Sequence, residues 1–245
     1  MKYIIILLIA VFVFPACNPG AKVGDEPEKI ITNVEGKGLQ IELEFRKGKS
    51  HSHPILAIWL ETENGKYIQT LYVSESIAKG VFKHGDASSG RWLPGPVRRP
   101  SALPYWARKR NVQEDDGLYV PKQETAIPDA YTGPTPKDNF DLKSRSDQTI
   151  NSPFKVMLEI NQSFDYNEFW TTTRFANDRH YSASAQPSLI YESEIIDPKN
   201  LQDKYYMKVI GHGHFNGSNG KLFPDLSGHT TALEIVKSLV VRIRL

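Results

Sequence analysis

The chain has 245 residues, a hydrophobic content of 40%, and 30 Lys and Arg residues against 28 Asp and Glu residues. This length and composition allow one large domain with a core of its own. The near-neutral charge argues against nucleic acid as the main partner, because nucleic-acid-binding domains carry an excess of positive charge. The single cysteine, Cys17, excludes a disulfide within the chain.

The N-terminal segment has the pattern of an export signal. One positive charge, Lys2, is followed by an apolar run from Ile4 to Phe14. The run is too short for a membrane-spanning helix, which needs about 20 residues, but it fits the apolar region of a secretory signal. We therefore predict that residues 1–16 are a signal peptide, in preference to a membrane-spanning anchor.

The segment Phe14-Pro15-Ala16-Cys17 resembles a bacterial lipobox, in which a small residue precedes a lipid-accepting cysteine. It departs from the usual pattern at Phe14, where Leu is common, and at Pro15. The resemblance implies a lipoprotein cut before Cys17 and held at a membrane by acyl chains, each buried CH₂ contributing about 0.8 kcal/mol. Lipidation would leave no thiol, which excludes thiolate metal sites and cysteine nucleophiles. The alternative is an ordinary signal peptide with an incidental cysteine.

The residues after Cys17 divide into a linker and one domain. Asn18 is not the Asp that favours inner-membrane retention, so the expected location is the outer membrane, facing the periplasm or the surface. The stretch from Asn18 to Lys29 is rich in Gly, Pro and charge and lacks apolar periodicity, which is typical of a flexible linker. We predict a linker over 17–36 and a single domain over 37–245.

Alternation of apolar and polar residues predicts seven β-strands in this domain. Asn64-Gly65 predicts a hairpin turn between the second and third strands, because both residues tolerate positive φ. The pattern contains no amphipathic helix of normal length, and the short helical candidates are Ser76–Lys79 and Leu103–Lys109. The predicted strands cover residues 39–46, 55–61, 66–73, 154–160, 188–195, 205–210 and 235–245.

Seven strands, a hairpin and no long helix predict an all-β fold, an antiparallel immunoglobulin-like β-sandwich. The exception is the segment 74–153, which is rich in proline, has little strand pattern and is longer than most loops. Its aromatic residues would be unusual in free coil, so we predict an ordered insertion that covers the sandwich. These aromatic residues include Trp92, Tyr105, Trp106 and Tyr131.

Several short elements resemble a predicted periplasmic domain family of unknown function, family 2271. They are the runs His53–Glu61 and Asn64–Leu71, the element Leu103–Trp106, the element Asp129–Thr135 and the strand Val156–Asn161. The resemblance covers roughly residues 39–165. It implies a periplasmic immunoglobulin-like sandwich, and it brings no known activity and no catalytic residues.

Histidines in two loops form the most suggestive group of possible metal ligands. His212 and His214 are two residues apart, so their imidazoles would face the same way in an extended chain. If the seven strands run up and down, His229 lies at the same end, and three neutral imidazoles with a carboxylate can bind zinc, copper or another late transition metal. A loop in which these histidines only pack or cap is the favoured interpretation. The other polar residues expected at this end are His180, Asp165 and Asp178.

The same strand count places the loop 47–54 at the opposite end, together with the segment 74–153. His51 and His53 therefore should not join the first group, and we interpret them as a polar start to the strand after Pro54. The sequence 161–167 hints at calcium but lacks the full ligand-loop pattern, so a turn is favoured. Its oxygen-bearing residues are Asn161, Asp165 and Asn167.

The segment from Arg91 to Arg110 combines positive charge with aromatic rings. Arginine side chains and stacking aromatic rings can hold an anionic or glycan ligand, so this segment is a candidate groove. The favoured alternative is a solvated loop whose aromatic residues fix it to the sandwich. The candidate ligand-binding residues are Arg91, Trp92, Arg98, Arg99, Tyr105 and Trp106.

Neither a Gly-x-Ser-x-Gly motif nor a Gly-x-x-x-x-Gly-Lys-Ser/Thr motif occurs in the sequence. We therefore predict a non-catalytic binding or accessory domain of the cell envelope, without a cofactor. Its expected partners are the membrane, through the lipid, and an envelope protein or a glycan. The alternatives are a histidine-based protein that binds a transition metal, and an enzyme acting on envelope or polysaccharide substrates, since paired carboxylates need not be close in sequence.

Overall fold

The computed structural model describes residues 26–244. The protein is mostly β, with 37% of residues in strands and 11% in helices, which confirms the prediction of a β-rich domain. The predicted signal peptide 1–16, Cys17 and the linker up to residue 25 lie outside the described residues. Within the described part, no helix combines the length and the apolar character needed to cross a membrane.

The strands follow the apolar–polar alternation of the sequence. Seven of them coincide with the predicted strands to within a few residues: β2 (Gln40–Lys47), β3 (Ile55–Thr62), β4 (Tyr67–Ser74), β9 (Phe154–Asn161), β10 (Leu189–Ser193), β11 (Tyr205–His212) and β12 (Val236–Arg244). The strands outside the prediction are β1 (Glu28–Ile31), β5 (Val81–Asp86), β6 (Leu93–Pro96), β7 (Thr132–Gly133) and β8 (Phe140–Arg145).

Helices are short and lie in the connections. The first two, α1 (Glu75–Ala78) and α2 (Pro104–Lys109), occupy the two segments predicted as helical candidates, and α3 (Arg179–Ser182) follows later in the chain. Proline at the start of α2 suits a first helical turn, where a backbone N–H is not needed. Single 3₁₀ turns occur at Gln123–Thr125, Asp129–Tyr131 and Thr231–Glu234.

Ten of the strands form one mixed sheet, in the order β1-β8-β2-β12-β11-β10-β9-β3-β4-β7, and β5 pairs only with β6. The outermost pairs, β1 with β8 and β4 with β7, are parallel. The inner pairs are antiparallel. The sheet curls until it is nearly closed. The architecture is therefore a large mixed sheet, whereas the sequence predicted purely antiparallel strands.

Side-chain hydrogen bonds join the two edges of the curled sheet. Just after β1, Thr32 Oγ1 donates to the backbone oxygen of Leu71 in β4 at 2.8 Å. From β4, Gln69 Nε2 donates to the backbone oxygen of Arg145 at 3.1 Å. The Oε1 atom of Gln69 accepts from the backbone N–H of Asp147 at 2.8 Å. These bonds allow the sheet to surround a core although its strand ladder is not continuous.

The core lies on the concave side of the sheet. In β2, Ile41, Leu43 and Phe45 are fully buried, while Glu42 and Glu44 between them are partly exposed. Burying one large aliphatic or aromatic side chain stabilises the fold by about 1.5–3 kcal/mol. The strands β3, β9 and β12 contribute inward-facing apolar residues in the same alternating way. This core is the main source of stability.

The outer face of β3 and β9 is also buried, because α2 lies across it. Trp59 of β3 and Met157 of β9 belong to the same buried cluster as Leu103 and Trp106. Burial on both faces explains why β3 is an almost continuous apolar run rather than an alternating one. Part of the segment 74–153 therefore covers the sheet.

A buried carboxylate holds the N-terminus of α2. Glu159 of β9 accepts hydrogen bonds from the backbone N–H groups of Tyr105 at 3.2 Å and Trp106 at 2.7 Å. Ser188 Oγ donates to the same carboxylate at 2.5 Å. Burial raises the pKa of Glu159 to about 7, against the opposing effect of these hydrogen bonds. The side chain thus ties the covering segment to the sheet.

Two further polar contacts fix the rest of α2. Lys109 Nζ at its C-terminus donates to the buried Glu61 Oε2 at 3.1 Å. In the middle of the helix, Trp106 Nε1 donates to Thr70 Oγ1 at 3.0 Å. The position of this helix on the sheet is therefore set by hydrogen bonds at both ends and at its centre.

Because the prediction did not include β8, it gave every later strand the wrong direction along the sheet. The strand β8 runs antiparallel to β2 and adds one chain reversal between β4 and β9. As a result, the loops 47–54, 161–187 and 211–234 lie at one end of the sheet instead of at opposite ends. We call this the loop-rich end, where β2, β4, β9 and β11 finish and β1 and β8 begin.

Hydrogen bonds between these loops show that they meet. The backbone N–H of Ser52 donates to Gln162 Oε1 at 2.8 Å. Ser50 Oγ donates to Glu234 Oε2 at 2.9 Å. The prediction that separated the loop 47–54 from the two later loops is therefore wrong, because it did not include β8 between β4 and β9.

Two predicted boundaries shift as well. The strand β1 lies within residues 17–36, so the last part of the predicted linker belongs to the sheet. The strand β8 lies within residues 74–153, so this segment is not an insertion throughout.

Candidate functional site

An open cleft lies at the loop-rich end, between the β5–β6 hairpin and the loops that follow β2 and β9. Its volume is about 720 Å³, which is within the range of small-molecule sites, about 300–1,000 Å³. The side chains that define its chemistry are Phe82, Phe164, Arg99, Lys83, Lys137 and His53. The cleft is therefore cationic and partly aromatic.

Arg99 is the central cation of the cleft. Its Cζ atom lies 4.3 Å from the ring centroid of Phe82 and 5.4 Å from that of Phe164. Its Nη1 donates to Ser163 Oγ at 3.0 Å. No carboxylate of residues 26–244 forms an ion pair with it, and burial lowers the pKa of Arg99 without an opposing acidic neighbour. Because arginine stays protonated even so, the cleft contains an unneutralised guanidinium.

Phe164 adopts an unusual backbone conformation beside this guanidinium. Its φ is 67°, a left-handed value that is disfavoured for a large side chain. The conformation is held because its N–H donates to the backbone oxygen of Ser184 at 3.0 Å. The ring is 58% exposed instead of packed in the core. Strained residues cluster at binding sites, where the surrounding structure holds them in place.

Further basic side chains lie around the rim of the cleft. Lys83, Lys137 and His53 are exposed, whereas Lys79 is held by Glu75 at 2.7 Å and by Asp129 at 3.1 Å. His51, two residues before His53, does not share this exposure. It is half-buried and packs edge-on against Phe45, with ring centroids 5.6 Å apart.

The structure separates the six predicted ligand-binding residues into three places. Arg99 lies in the cleft, and Arg98 next to it donates to the backbone oxygen of Val120 and pairs with Asp116. Arg91 and Trp92 are exposed on the β5–β6 hairpin, where Trp92 is 67% exposed. Tyr105 and Trp106 are buried in α2 at 9% and 0% exposure. Their rings therefore fix the covering segment to the sheet and cannot stack on a ligand.

The structure brings together two of the three predicted metal ligands. The ring centroids of His212 and His229 are 4.7 Å apart. His214 instead packs on Phe215 at 4.5 Å, and its Nδ1 lies 3.3 Å from Ser218 Oγ. In residues 26–244, no group of three or more His, Cys, Asp or Glu side chains is placed to hold a metal ion. Of the three candidate metal ligands, His212 and His229 therefore lie together and His214 makes separate contacts.

The His212–His229 pair lies in an apolar environment. His229 is buried against Trp170, with ring centroids 5.8 Å apart, and neither of its ring nitrogens has a hydrogen-bond partner. Burial, followed by the neighbouring His212, lowers the pKa of His229 to about 4. Nδ1 of His212 lies 2.7 Å from the backbone oxygen of Gly213, so this nitrogen carries the proton of the neutral ring. Both imidazoles are neutral at neutral pH.

The remaining polar residues predicted near these histidines brace the loops. Asp178 accepts from the backbone N–H of His180 at 3.0 Å, which caps α3, and from Asn216 Nδ2 at 2.6 Å. Asp165 Oδ1 accepts from Thr231 Oγ1 at 2.7 Å. These hydrogen bonds lie within the protein, whereas Asp165 Oδ2 is buried without a hydrogen-bond partner among the described residues.

Asn161 and Asn167, which hinted at calcium, are likewise used internally. Asn161 Nδ2 donates to the backbone oxygen of Gln186 at 3.1 Å. Asn167 Nδ2 donates to the backbone oxygen of Gly228 at 2.9 Å, and its Oδ1 accepts from the backbone N–H of Trp170 at 2.6 Å. This geometry is that of a braced turn.

Sequence reasoning missed four residues of the cleft, which are Phe82, Lys83, Lys137 and Phe164. The signal that could have found them is the strand β8. Once β8 is counted, the residues after β4 and the loop after β9 fall at the same end of the sheet. Their charges and aromatic rings can then be combined into one site.

The fold and the cleft define a mostly β protein with an open, cationic site at one end of a nearly closed sheet. No protein-family model, no curated protein and no solved structure matches the chain. The resemblance to family 2271 stays a prediction.

Proposed function

We propose that the protein is a non-catalytic binding domain of the bacterial cell envelope, whose cleft holds an anionic ligand. One observation carries this proposal, which is the position of Arg99 in the cleft between two aromatic rings and without a carboxylate partner among the described residues. A charged donor in a partly buried site binds carboxylate, sulfate or phosphate groups more strongly than a neutral donor does.

The aromatic rings and the rim cations narrow the class of ligand. The exposed ring of Phe164 offers a surface for an apolar face, such as that of a sugar ring. Lys83 and Lys137 add positive charge to the lining of the cleft. A cleft of about 720 Å³ is larger than one small anion requires. An acidic glycan, which has both sugar faces and repeated negative charges, fits these features.

Replacing Arg99 tests this function directly. We expect Arg99→Gln to weaken binding to an acidic oligosaccharide at least about tenfold, because a hydrogen bond to a charged group contributes about 1.5–3 kcal/mol. The measurement is calorimetric titration with oligosaccharides that carry carboxylate, sulfate or phosphate groups, and with their neutral counterparts. Arg91→Gln is the matched control, since it removes the same charge outside the cleft.

Two results would overturn the binding proposal. One is that no acidic oligosaccharide binds the parent protein, and the other is that the Arg91 and Arg99 variants lose affinity equally. Cleavage of the bound oligosaccharide by the parent protein would contradict the non-catalytic part of the proposal.

We propose that lipid on Cys17 attaches this domain to the membrane. The support is the lipobox resemblance and the apolar run before it. In cells fed a fatty-acid probe, we expect the wild-type protein to be labelled and Cys17→Ala to remain unlabelled. Equal labelling of both proteins would contradict lipidation at this residue. Fractionation of the labelled cells then tests the outer membrane as the location.

We propose that the nearly closed sheet is a variant of the immunoglobulin-like sandwich. The support is the weak link between its two halves, since β11 pairs with β12 over only two residue pairs, Tyr205–Val241 and Tyr206–Val240. On either side of this link, β12-β2-β8 and β10-β9-β3-β4 form two well-paired layers around the same core.

A further inference from the structure

The hairpin of β5 and β6 carries an exposed apolar tip. Every residue from Ala87 to Pro94 is exposed. Within this tip, Trp92 is 67% and Leu93 is 46% exposed. A side chain built at Gly90 would meet no other atom within 4 Å, so the tip stands away from the rest of the protein. Large apolar side chains in such a position contribute nothing to the core.

Trp92 in this tip is far more exposed than the other three tryptophans of the chain. Of the four tryptophans, Trp59 and Trp106 are fully buried and Trp170 is 6% exposed. Arg91, next to Trp92 in the chain, is exposed, and so is Lys83 in β5 of the same hairpin. The acidic residue of the hairpin, Asp86, is engaged with the backbone N–H of Ser88 at 2.8 Å. A tryptophan beside a basic residue, on an exposed apolar surface, is typical of segments at the membrane–water interface.

The strand β1, which follows the proposed lipid anchor in the chain, starts at the same end of the sheet as the hairpin. The hairpin begins at the loop-rich end, where Phe82 and Lys83 line the cleft. The strand β1 starts at this same end, because Glu28 pairs with Phe140 at the beginning of β8. Ten residues separate Glu28 from Cys17, and this length spans about 40 Å at most when fully extended. An anchor at Cys17 would therefore hold the start of β1 within about 40 Å of the membrane.

We infer that the tip of the β5–β6 hairpin docks on the lipid surface, with Trp92 and Leu93 in the interfacial region and Arg91 and Lys83 against anionic headgroups. The choice of this partner rests on the anchor proposed above, whereas the docking itself uses only the hairpin. Docking directs the loop-rich end, and with it the opening of the cleft, towards the membrane.

Vesicle binding tests the inference without the anchor. The protein used is residues 17–245 with Cys17→Ser, which contains the whole described fold and cannot be acylated. Vesicles are made of phosphatidylcholine with phosphatidylglycerol, or of phosphatidylcholine alone, with and without brominated acyl chains. We expect the protein to sediment with the mixed vesicles. The fluorescence emission of the exposed Trp92 should shift to shorter wavelengths and should be quenched by the brominated lipids.

Three variants assign the contact. Trp92→Ala should weaken binding at least about fivefold and remove the quenching, because it deletes the interfacial ring. Arg91→Gln should weaken binding about fivefold on mixed vesicles only, because one basic residue near an anionic surface contributes about that factor. Tyr206→Ala is the matched control, since Tyr206 is 53% exposed at the opposite end of the sheet, and it should bind like the parent protein.

Two outcomes would overturn the inference. The first is that the parent protein binds neither kind of vesicle, which would leave the tip as a contact site for a protein partner. The second is equal weakening by Trp92→Ala and Tyr206→Ala. A failure of acylation at Cys17 would leave this vesicle result unchanged, so the two proposals fail separately.

Discussion

Replacing Trp106 with alanine should destabilise the protein by about 3–5 kcal/mol, because it removes a fully buried ring and leaves a cavity between α2 and the sheet. The loss also breaks the hydrogen bond from Trp106 Nε1 to Thr70 Oγ1. Domains of ordinary stability unfold at a cost of about 5–15 kcal/mol, so this variant should lose a large part of its total. Denaturant unfolding followed by circular dichroism measures the change.

The matched control is the same substitution at an exposed tryptophan. Trp92→Ala should change stability by less than about 0.5 kcal/mol, since that ring is 67% exposed. Trp106→Phe should give an intermediate loss, because it keeps most of the apolar contact but removes the indole donor. Equal effects of the Trp92 and Trp106 substitutions would show that α2 does not contribute to the folded core.

Much of the fold could be predicted because alternation is a strong signal wherever one face of a strand is buried. In β2, Leu43 and Phe45 point inward and the glutamates between them outward, and the predicted and observed bounds agree within a residue. The strand β8 was not predicted because its inward positions are Phe140, Leu142 and the small polar Ser144. Two apolar residues beside a proline-rich stretch are too few to mark a strand.

The site could be predicted only in part, because it depends on which loops share an end. Arg99 was found from its charge and its aromatic neighbourhood in the sequence. Phe164 could not be found from composition, since it is contributed by a loop more than sixty residues away in the chain. The error of one strand separated these two residues, although Arg99 lies 5.4 Å from the ring of Phe164. Local patterns thus identify strands, whereas the assembly of a loop site needs the full topology.

Replacing Glu159 with alanine should destabilise the protein by about 4 kcal/mol. Three buried donors, the N–H groups of Tyr105 and Trp106 and the hydroxyl of Ser188, would lose their acceptor, and an unsatisfied buried group costs about 1–3 kcal/mol. Since α2 follows Arg99 closely in the chain, the same change should also weaken ligand binding in the cleft. Glu159→Gln keeps an acceptor of the same shape, so a smaller loss of stability is expected.

Both Glu159 variants should also differ from the wild-type protein in their response to pH. Burial raises the pKa of Glu159 from its usual 4.5 to about 7. Between these values the folded state holds a proton that the unfolded state has released, so stability falls as pH rises, by up to about 3 kcal/mol. His229 acts in the opposite direction, because its pKa is lowered from 6.5 to about 4. Over that range the unfolded state binds the proton, so stability rises with pH.

These two buried groups should therefore oppose each other in the wild-type protein between about pH 4.5 and 6.5. Glu159→Gln removes the falling contribution, and its stability should rise with pH across this range. His229→Phe keeps an aromatic ring against Trp170 but cannot titrate, so its stability should fall with pH relative to that of the wild-type protein. Denaturant unfolding at several pH values measures both slopes, and the double variant should return towards the wild-type profile, because the two changes have opposite signs. If both single variants keep the wild-type profile, neither group changes its protonation on folding, and the polar contacts of α2 act without regard to pH.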